Sequence, residues 1–224
     1  MRIKILVWMV AASILFAQCT KNYEEKNTDP NQQSPANFNA EYFLAAGENE
    51  YKGGITGYEG SWLFQAGWAQ INAAASTGYL SNMDKYVESS NTSDYSGRSW
   101  NDCYRAAGYA NAIIQKHAAD ADKVNLVSAA TVLKVLALHY ITDIYGDIPY
   151  TNALLGFDGK GLGVVTPAYD KQQAVYTGLL NELEGALTKF DASKATPTAD
   201  LIYSGDIAKW KKFGYSLMLR MAMR

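Results

Sequence analysis

The sequence predicts an all-α protein, and three observations carry that reading. Apolar residues recur at steps of three and four through several long segments, the spacing that lines one side of a helix. No segment of useful length alternates apolar and polar residues as a half-buried strand does. Asp, Gly and Pro punctuate the ends of the periodic segments, where helices start and stop. Amphipathic segments of this kind pack as antiparallel helix pairs. Composition agrees: 48% hydrophobic and 19% charged residues describe a globular chain rather than a disordered one.

In chain order, Arg2 and Lys4 precede a 13-residue stretch, Ile5 to Ala17, that is apolar apart from Ser13. It is too short to span a bilayer and reads as a signal peptide over residues 1–18. Cys19 follows at once, as in a relaxed lipobox, and its thiol is the expected site of lipidation and the expected mature N-terminus. Residues 19–40 are rich in Asn, Gln, charge and Pro, with turn chemistry in Asn27-Thr28-Asp29-Pro30-Asn31, and read as a polar tether. The folded body is expected over residues 41–224.

A first helix is expected from about Ala40 to Tyr51, and a second from about Trp100 to Ala118 carrying Cys103, Ala107, Ala110, Ile113 and Ile114. The clearest runs from about Asn125 to Tyr145, with Leu126, Ala130, Leu133, Ala137, Tyr140, Ile141 and Ile144 on one face; Gly146 suits a left-handed cap and Pro149 forbids resumption. Another spans roughly Asp170 to Phe190 with Asp170 as its N-cap. The last starts after Ser204-Gly205-Asp206 and aligns Ile207, Trp210, Phe213, Leu217 and Met221. It is still amphipathic at Arg224, which predicts an uncovered stripe at Leu217 and Met221.

Charge and ligand inventory exclude several functions. Twenty Lys and Arg against 22 Asp and Glu leave no basic excess for gripping phosphates, so nucleic acid is not an expected partner. Removal of residues 1–18 takes away Arg2 and Lys4 and leaves 18 basic against 22 acidic side chains, a net charge of -4. Two His and two Cys are too few for a zinc or disulfide framework, and no metal or other cofactor is expected. Cys103 reads as a buried small hydrophobe and His139 as a structural histidine. Asp143 and Asp147 flank a turn without the spacing of a calcium loop and read as capping groups. Glu182 with Glu184, and Glu24 with Glu25, are sequence neighbours. Nothing in their spacing sets them across a cleft as glycoside hydrolysis requires, and they read as solvated faces. The chain is therefore not expected to be an enzyme.

Several segments together resemble the SusD/RagB family. Cys19-Thr20-Lys21-Asn22-Tyr23-Glu24-Glu25 is similar to the family's post-lipidation start, and Thr142-Asp143-Ile144-Tyr145-Gly146-Asp147-Ile148-Pro149-Tyr150 to its internal signature. Pro167-Ala168-Tyr169-Asp170 with Val175-Tyr176, Asp200-Leu201-Ile202-Tyr203-Ser204-Gly205-Asp206 and Trp210-Lys211-Lys212-Phe213 follow in the family's order. The resemblance implies tetratricopeptide-like helix pairs, lipid anchoring at the outer-membrane surface, and capture of a nutrient for a SusC-like TonB-dependent transporter. The nutrient would be an oligosaccharide, or a peptide as in RagB-like members. A lipid-anchored hydrolase and a protein-only helical scaffold are the rival readings. Members are about twice as long as this chain, so the likeness covers their front half.

Ten of the aromatics lie between Tyr58 and Tyr109, and they are the candidates for stacking on sugar rings. Trp62, Trp68, Tyr79 and Tyr86 are the expected platform, with Asn82 and Arg98 supplying hydrogen bonds and Asp84 and Asn91 also available. Tyr79, Tyr86 and Tyr95 fall in polar stretches that read as exposed loop, whereas Trp100 and Tyr104 read as structural. The alternative for any one of these rings is core packing.

Overall fold

In the computed structural model, which describes residues 39–75, 82–87, 90–155 and 166–224, the long helices are α1 Ala40–Thr56, α2 Ser90–His117, α3 Val124–Tyr145, α4 Gln172–Lys189 and α5 Ile207–Ala222. A π-helix, Tyr58–Gln65, follows α1, and a single α-turn, Ala66–Trp68, closes it. Among the described residues the only β-type pairing is an isolated bridge between Ile148 and Asp170. The signal segment 1–18, Cys19 and nearly all of the tether lie outside the described residues, and residues Ala40–Arg224 form one compact unit.

Successive helices pack antiparallel. Gly47 of α1 lies against Ala106 and Tyr109 of α2, while Gly54, two turns on, lies against Cys103. Trp100 in the first half of α2 meets Tyr145 at the end of α3 edge-on, with ring centroids 5.2 Å apart. Lys134 pairs with Glu182 at 2.6 Å, and Gln172 Nε2 donates to the Thr142 carbonyl at 2.6 Å, which runs α4 back along α3. Lys211 faces Asp191 and Arg224 faces Tyr176, which returns α5 along α4.

The centre is α3. Its expected single apolar face is too narrow a description: Ala129, Val132, Val135, Leu136 and Leu138 are buried along with Leu126, Ala130, Leu133, Ala137 and Ile141, because α1, α2, α4 and α5 all pack on it. A helix buried on every side has no polar stripe to reveal its orientation. It is long and apolar enough to cross a membrane, yet 72% of its apolar window is buried inside the protein, as befits a core helix. It ends where Gly146 takes φ +78° with ψ -120°, a positive-φ conformation but not the left-handed helical cap expected.

Other boundaries moved for identifiable reasons. α2 begins at Ser90, ten residues before Trp100, because Tyr95 is 5% exposed and packs with Leu63 and Met83; tertiary contact overrides the low helix propensity of the Ser/Asn/Gly-rich segment. α1 runs on to Thr56 through Gly53 and Gly54. α4 starts at Gln172 without a side-chain cap from its own chain start. The Asp170 carboxylate instead accepts from the Tyr150 and Thr151 N–H groups at 2.9 and 2.8 Å, and Asp147 accepts from the Gln172 N–H at 3.0 Å. Asp206 does cap α5, accepting from Lys209 N at 3.0 Å. Leu217 and Met221 are not a bare stripe; both are buried in the main core, and the exposed apolar side of α5 is Tyr215, Leu219 and Met223.

Candidate functional site

The π-helix presents two neighbouring rings to solvent. Gly60 lets it lie against α2, since a Cβ there would come within 2.4 Å of Ser99 Oγ. With that face held down, Leu63 turns inward while Tyr58 and Trp62, four residues apart, are 63% and 61% exposed. Tyr140 OH donates to Gln65 Oε1 at 2.9 Å and Gln65 Nε2 donates to Ser99 Oγ at 3.2 Å, so the last residue of the π-helix is tied to the bundle.

Trp62 and Tyr58 overhang a pocket of about 150 Å³ lined also by Leu63, Asn72, Met83 and Asp84. Asp84 joins its two rims: Oδ2 accepts from Ala74 N at 3.0 Å, and its carbonyl accepts from Gln70 Nε2 at 3.3 Å. The other oxygen, Oδ1, is buried and has no hydrogen-bond partner. Beneath the pocket, Leu63, Met83 and Tyr95 form a small buried cluster against which Phe64 and Trp68 pack. A second, more open depression of about 460 Å³ lies between the π-helix and α2, lined by Gly57, Glu59, Arg98, Ser99 and Arg105, and it shares Tyr58 with the first. Arg98 Nε pairs with Glu59 Oε2 at 2.7 Å.

The expected site residues are thus only partly together. Trp62 lines the pocket. Trp68 is half-buried behind it, with Phe64 at 6.0 Å and Tyr86 at 5.4 Å between ring centroids, so its ring is occupied by protein. Tyr86 is exposed, at φ +56° in a turn closed by Val87 N donating to the Asn82 carbonyl at 2.8 Å, and it covers Trp68 rather than the pocket. Asn82 sits in that same turn. Arg98 belongs to the neighbouring groove, and it lies on α2 rather than in a loop. Tyr79 lies outside the described residues. Tyr58 is one of the ten candidate aromatics but outside the expected platform, and its i, i+4 spacing to Trp62 is the signal that pairs the two; Asn72 is not among the expected ligand residues, and nothing local marks it.

The remaining chemistry-bearing groups are structural. Burial, with Asp102 nearby, pushes the Cys103 thiol up to about 12, far from a reactive thiolate. Burial holds His139 below its ordinary value, and its Nε2 sits 3.4 Å from Asp143 Oδ2 without a hydrogen bond formed between them. Asp143 accepts from the Tyr176 hydroxyl. Glu182 is not a solvated face: besides pairing with Lys134 it accepts from the Tyr150 hydroxyl at 2.8 Å. Glu184 is exposed as expected. Among the described residues no group of three or more His, Cys, Asp or Glu could hold a metal ion.

A SusD-like family model, described as starch-binding and associating with the outer membrane, matches residues 15–224. The chain belongs to the SusD-like family. Solved structures agree with the SusD-like fold. A Bacteroidetes AC2a SusD-like protein superposes with a TM-score of 0.66 at 28% identity, over 83% of this chain and 33% of its own. A chitin-binding protein gives 0.68 at 30% identity, over 83% and 38%. A SusD/RagB family protein from Bacteroides thetaiotaomicron gives 0.65 at 24% identity, over 83% and 38%, a likeness of fold. This SusD-like chain therefore spans little more than a third of the length of the solved structures it matches. No curated protein sequence matches it.

Proposed function

We propose that this SusD-like chain captures a nutrient glycan without chemical conversion and passes it to a SusC-like TonB-dependent transporter, while held by lipid on Cys19 at the outer-membrane surface. The observation that carries the reading is the exposed Trp62 indole beside a pocket that Asn72 and Asp84 also line. A flat ring covers the C–H face of a pyranose, and the amide and carboxylate supply the hydrogen bonds its hydroxyls lose on leaving water. The starch of the family description and the chitin of the neighbour's name are both pyranose polymers, so the chemistry is of the right class.

The test is calorimetric titration of a soluble starch or chitin oligosaccharide into wild type and Trp62→Ala. Removing an exposed indole leaves the core intact, so the variant is expected to melt as wild type does and to lose at least about tenfold in affinity, about 1.4 kcal/mol. Equal affinity in the two proteins would remove Trp62 from the site.

A further inference from the structure

We infer that Ser99, a buried residue of α2 that does not line the Trp62 pocket, is the positioning residue of the Tyr58–Trp62 ring pair: it holds the segment Tyr58–Gln65 in its π turn and so sets the way the two rings face. The consequence for ligand rests on the glycan reading above; the positioning of the rings does not. Four elements are joined at this serine, which is 1% exposed. Its Oγ donates to the Gly54 carbonyl of α1 at 2.8 Å, one of the last four carbonyls of that helix, which the helix itself leaves without a partner. The same Oγ accepts from Gln65 Nε2 of the π-helix at 3.2 Å, and Gln65 Oε1 in turn accepts from the Tyr140 hydroxyl of α3 at 2.9 Å. Gly60 packs on it from the other end of the segment: a Cβ there would overlap Ser99 Oγ and come within 3.2 Å of Ser99 N.

Periodicity ties these contacts to the π turn. Gly60 and Gln65 are five residues apart, and at 3.6 residues per turn an α-helix would set them about 140° apart around its axis, facing different neighbours. The wider turn of a π-helix, closed by i→i+5 hydrogen bonds, brings them to one side. Both meet Ser99, and the segment is a π-helix. That conformation is rare, so contacts outside the segment must hold it. Serine suits the position on two counts: it is small enough to lie under Gly60, and its hydroxyl donates to one element while accepting from another. Alanine would fit the same space and lose both bonds. The segment could then return to the α-helical pitch, where a slip of one residue turns a side chain by about 100°. With the Gln65 end running on into the turn Ala66–Trp68, that rotation carries Trp62 off the rim of its pocket and Leu63 out of its cluster with Met83 and Tyr95.

The test reads Trp62 directly, in 5-fluorotryptophan-labelled protein whose Trp62 fluorine resonance is assigned by its disappearance in Trp62→Phe. Ser99→Ala and Gln65→Leu are each expected to move that resonance while leaving the resonance of Trp210, buried in the main core, in place. The double variant is expected to match the singles, because all three break one contact. Tyr140→Phe removes only the hydroxyl that anchors Gln65; it is expected to give a smaller shift in the same direction, and it serves where Ser99→Ala does not fold. Titrated with the starch or chitin oligosaccharide that wild type binds, Ser99→Ala is expected to lose about fivefold or more in affinity. A merely structural serine would lower the melting temperature and leave the Trp62 resonance where it is. An unmoved resonance in the folded variants therefore overturns the assignment, as does a double variant whose shift is the sum of the two singles. A moved resonance with oligosaccharide affinity equal to wild type overturns Ser99 as a positioning residue of the site. If the resonance moves and wild type itself binds no oligosaccharide, the glycan reading fails while the hold of Ser99 on the rings stands.

Discussion

Glu48 on α1 and Asp200 in the α4–α5 connection are a buried pair of carboxyl groups, 4% and 5% exposed. Asp200 spends its oxygens on the N–H groups of Ile202, Tyr203 and Gly205 and on the Trp210 indole, at 2.7 to 3.1 Å, and these bonds outweigh burial and hold it below the ordinary carboxylate range. Glu48 accepts from Leu201 N at 2.7 Å, but burial, with the Asp200 charge adding to it, pushes it up to about 8. At neutral pH the pair therefore holds one proton, on Glu48. The folded state binds that proton more tightly than the unfolded chain does, so the stabilisation is complete below the ordinary value of 4.5 and is lost as pH rises towards about 8. The slope is at most about 1.4 kcal/mol per pH unit. Urea unfolding at pH 5, 6.5 and 8 is expected to show wild type weakening across this window and Glu48→Gln holding level, since the amide stays neutral and still accepts from Leu201. Parallel profiles for the two proteins would rule the shared proton out.

The joints between elements depend on buried polar residues that no periodicity marks. Asn125, in the first turn of α3, is fully buried; its Nδ2 donates to the Asp191 and Ala195 carbonyls at 2.7 and 3.0 Å, and its Oδ1 accepts from Asp191 N at 2.9 Å. One side chain thereby fixes the end of α4 against the start of α3. Replacement by Ala strands those backbone groups, each at a cost of about 1 to 3 kcal/mol when buried. Asn125→Ala is therefore expected to lose about 3 kcal/mol or more in denaturant melts, far above an exposed Asn such as Asn101. A loss below about 1 kcal/mol would show that water replaces the amide there. Asp147 works on the same principle at the other end of α4, capping a helix it does not belong to.

For the whole molecule, antiparallel succession brings the first two helices and the π-helix together on one side of α3, and the Trp62 pocket is built where that packing meets the turn at residues 82–87. Among the described residues the most apolar helix is spent on the core. The membrane attachment proposed for the chain rests on Cys19 alone, where two acyl chains would add about 0.8 kcal/mol per buried methylene. Cys19→Ala is accordingly expected to move the protein from the membrane pellet to the soluble fraction after cell lysis. Retention in the pellet would mean that something other than the lipid holds it.

The sequence by itself determined the helical class, the order of the helices, the extent of α3 and the Asp206 cap, because each follows from local periodicity and first-turn chemistry. It also named Trp62 as one of a cluster of candidate rings, without any knowledge of contacts. Tertiary structure alone decided the rest. Tyr95 and Trp68 are rings of the same candidate cluster, yet Leu63 and Met83 pack on Tyr95, and Tyr86 from the turn at residues 82–87 packs on Trp68. Arg98 was separated from the pocket by the helical start of α2, and Asp84 was joined to it by a bond from Ala74. Whether a ring is wall, floor or platform depends on which residues distant in sequence pack behind it, and that is a property of the packed bundle rather than of any segment.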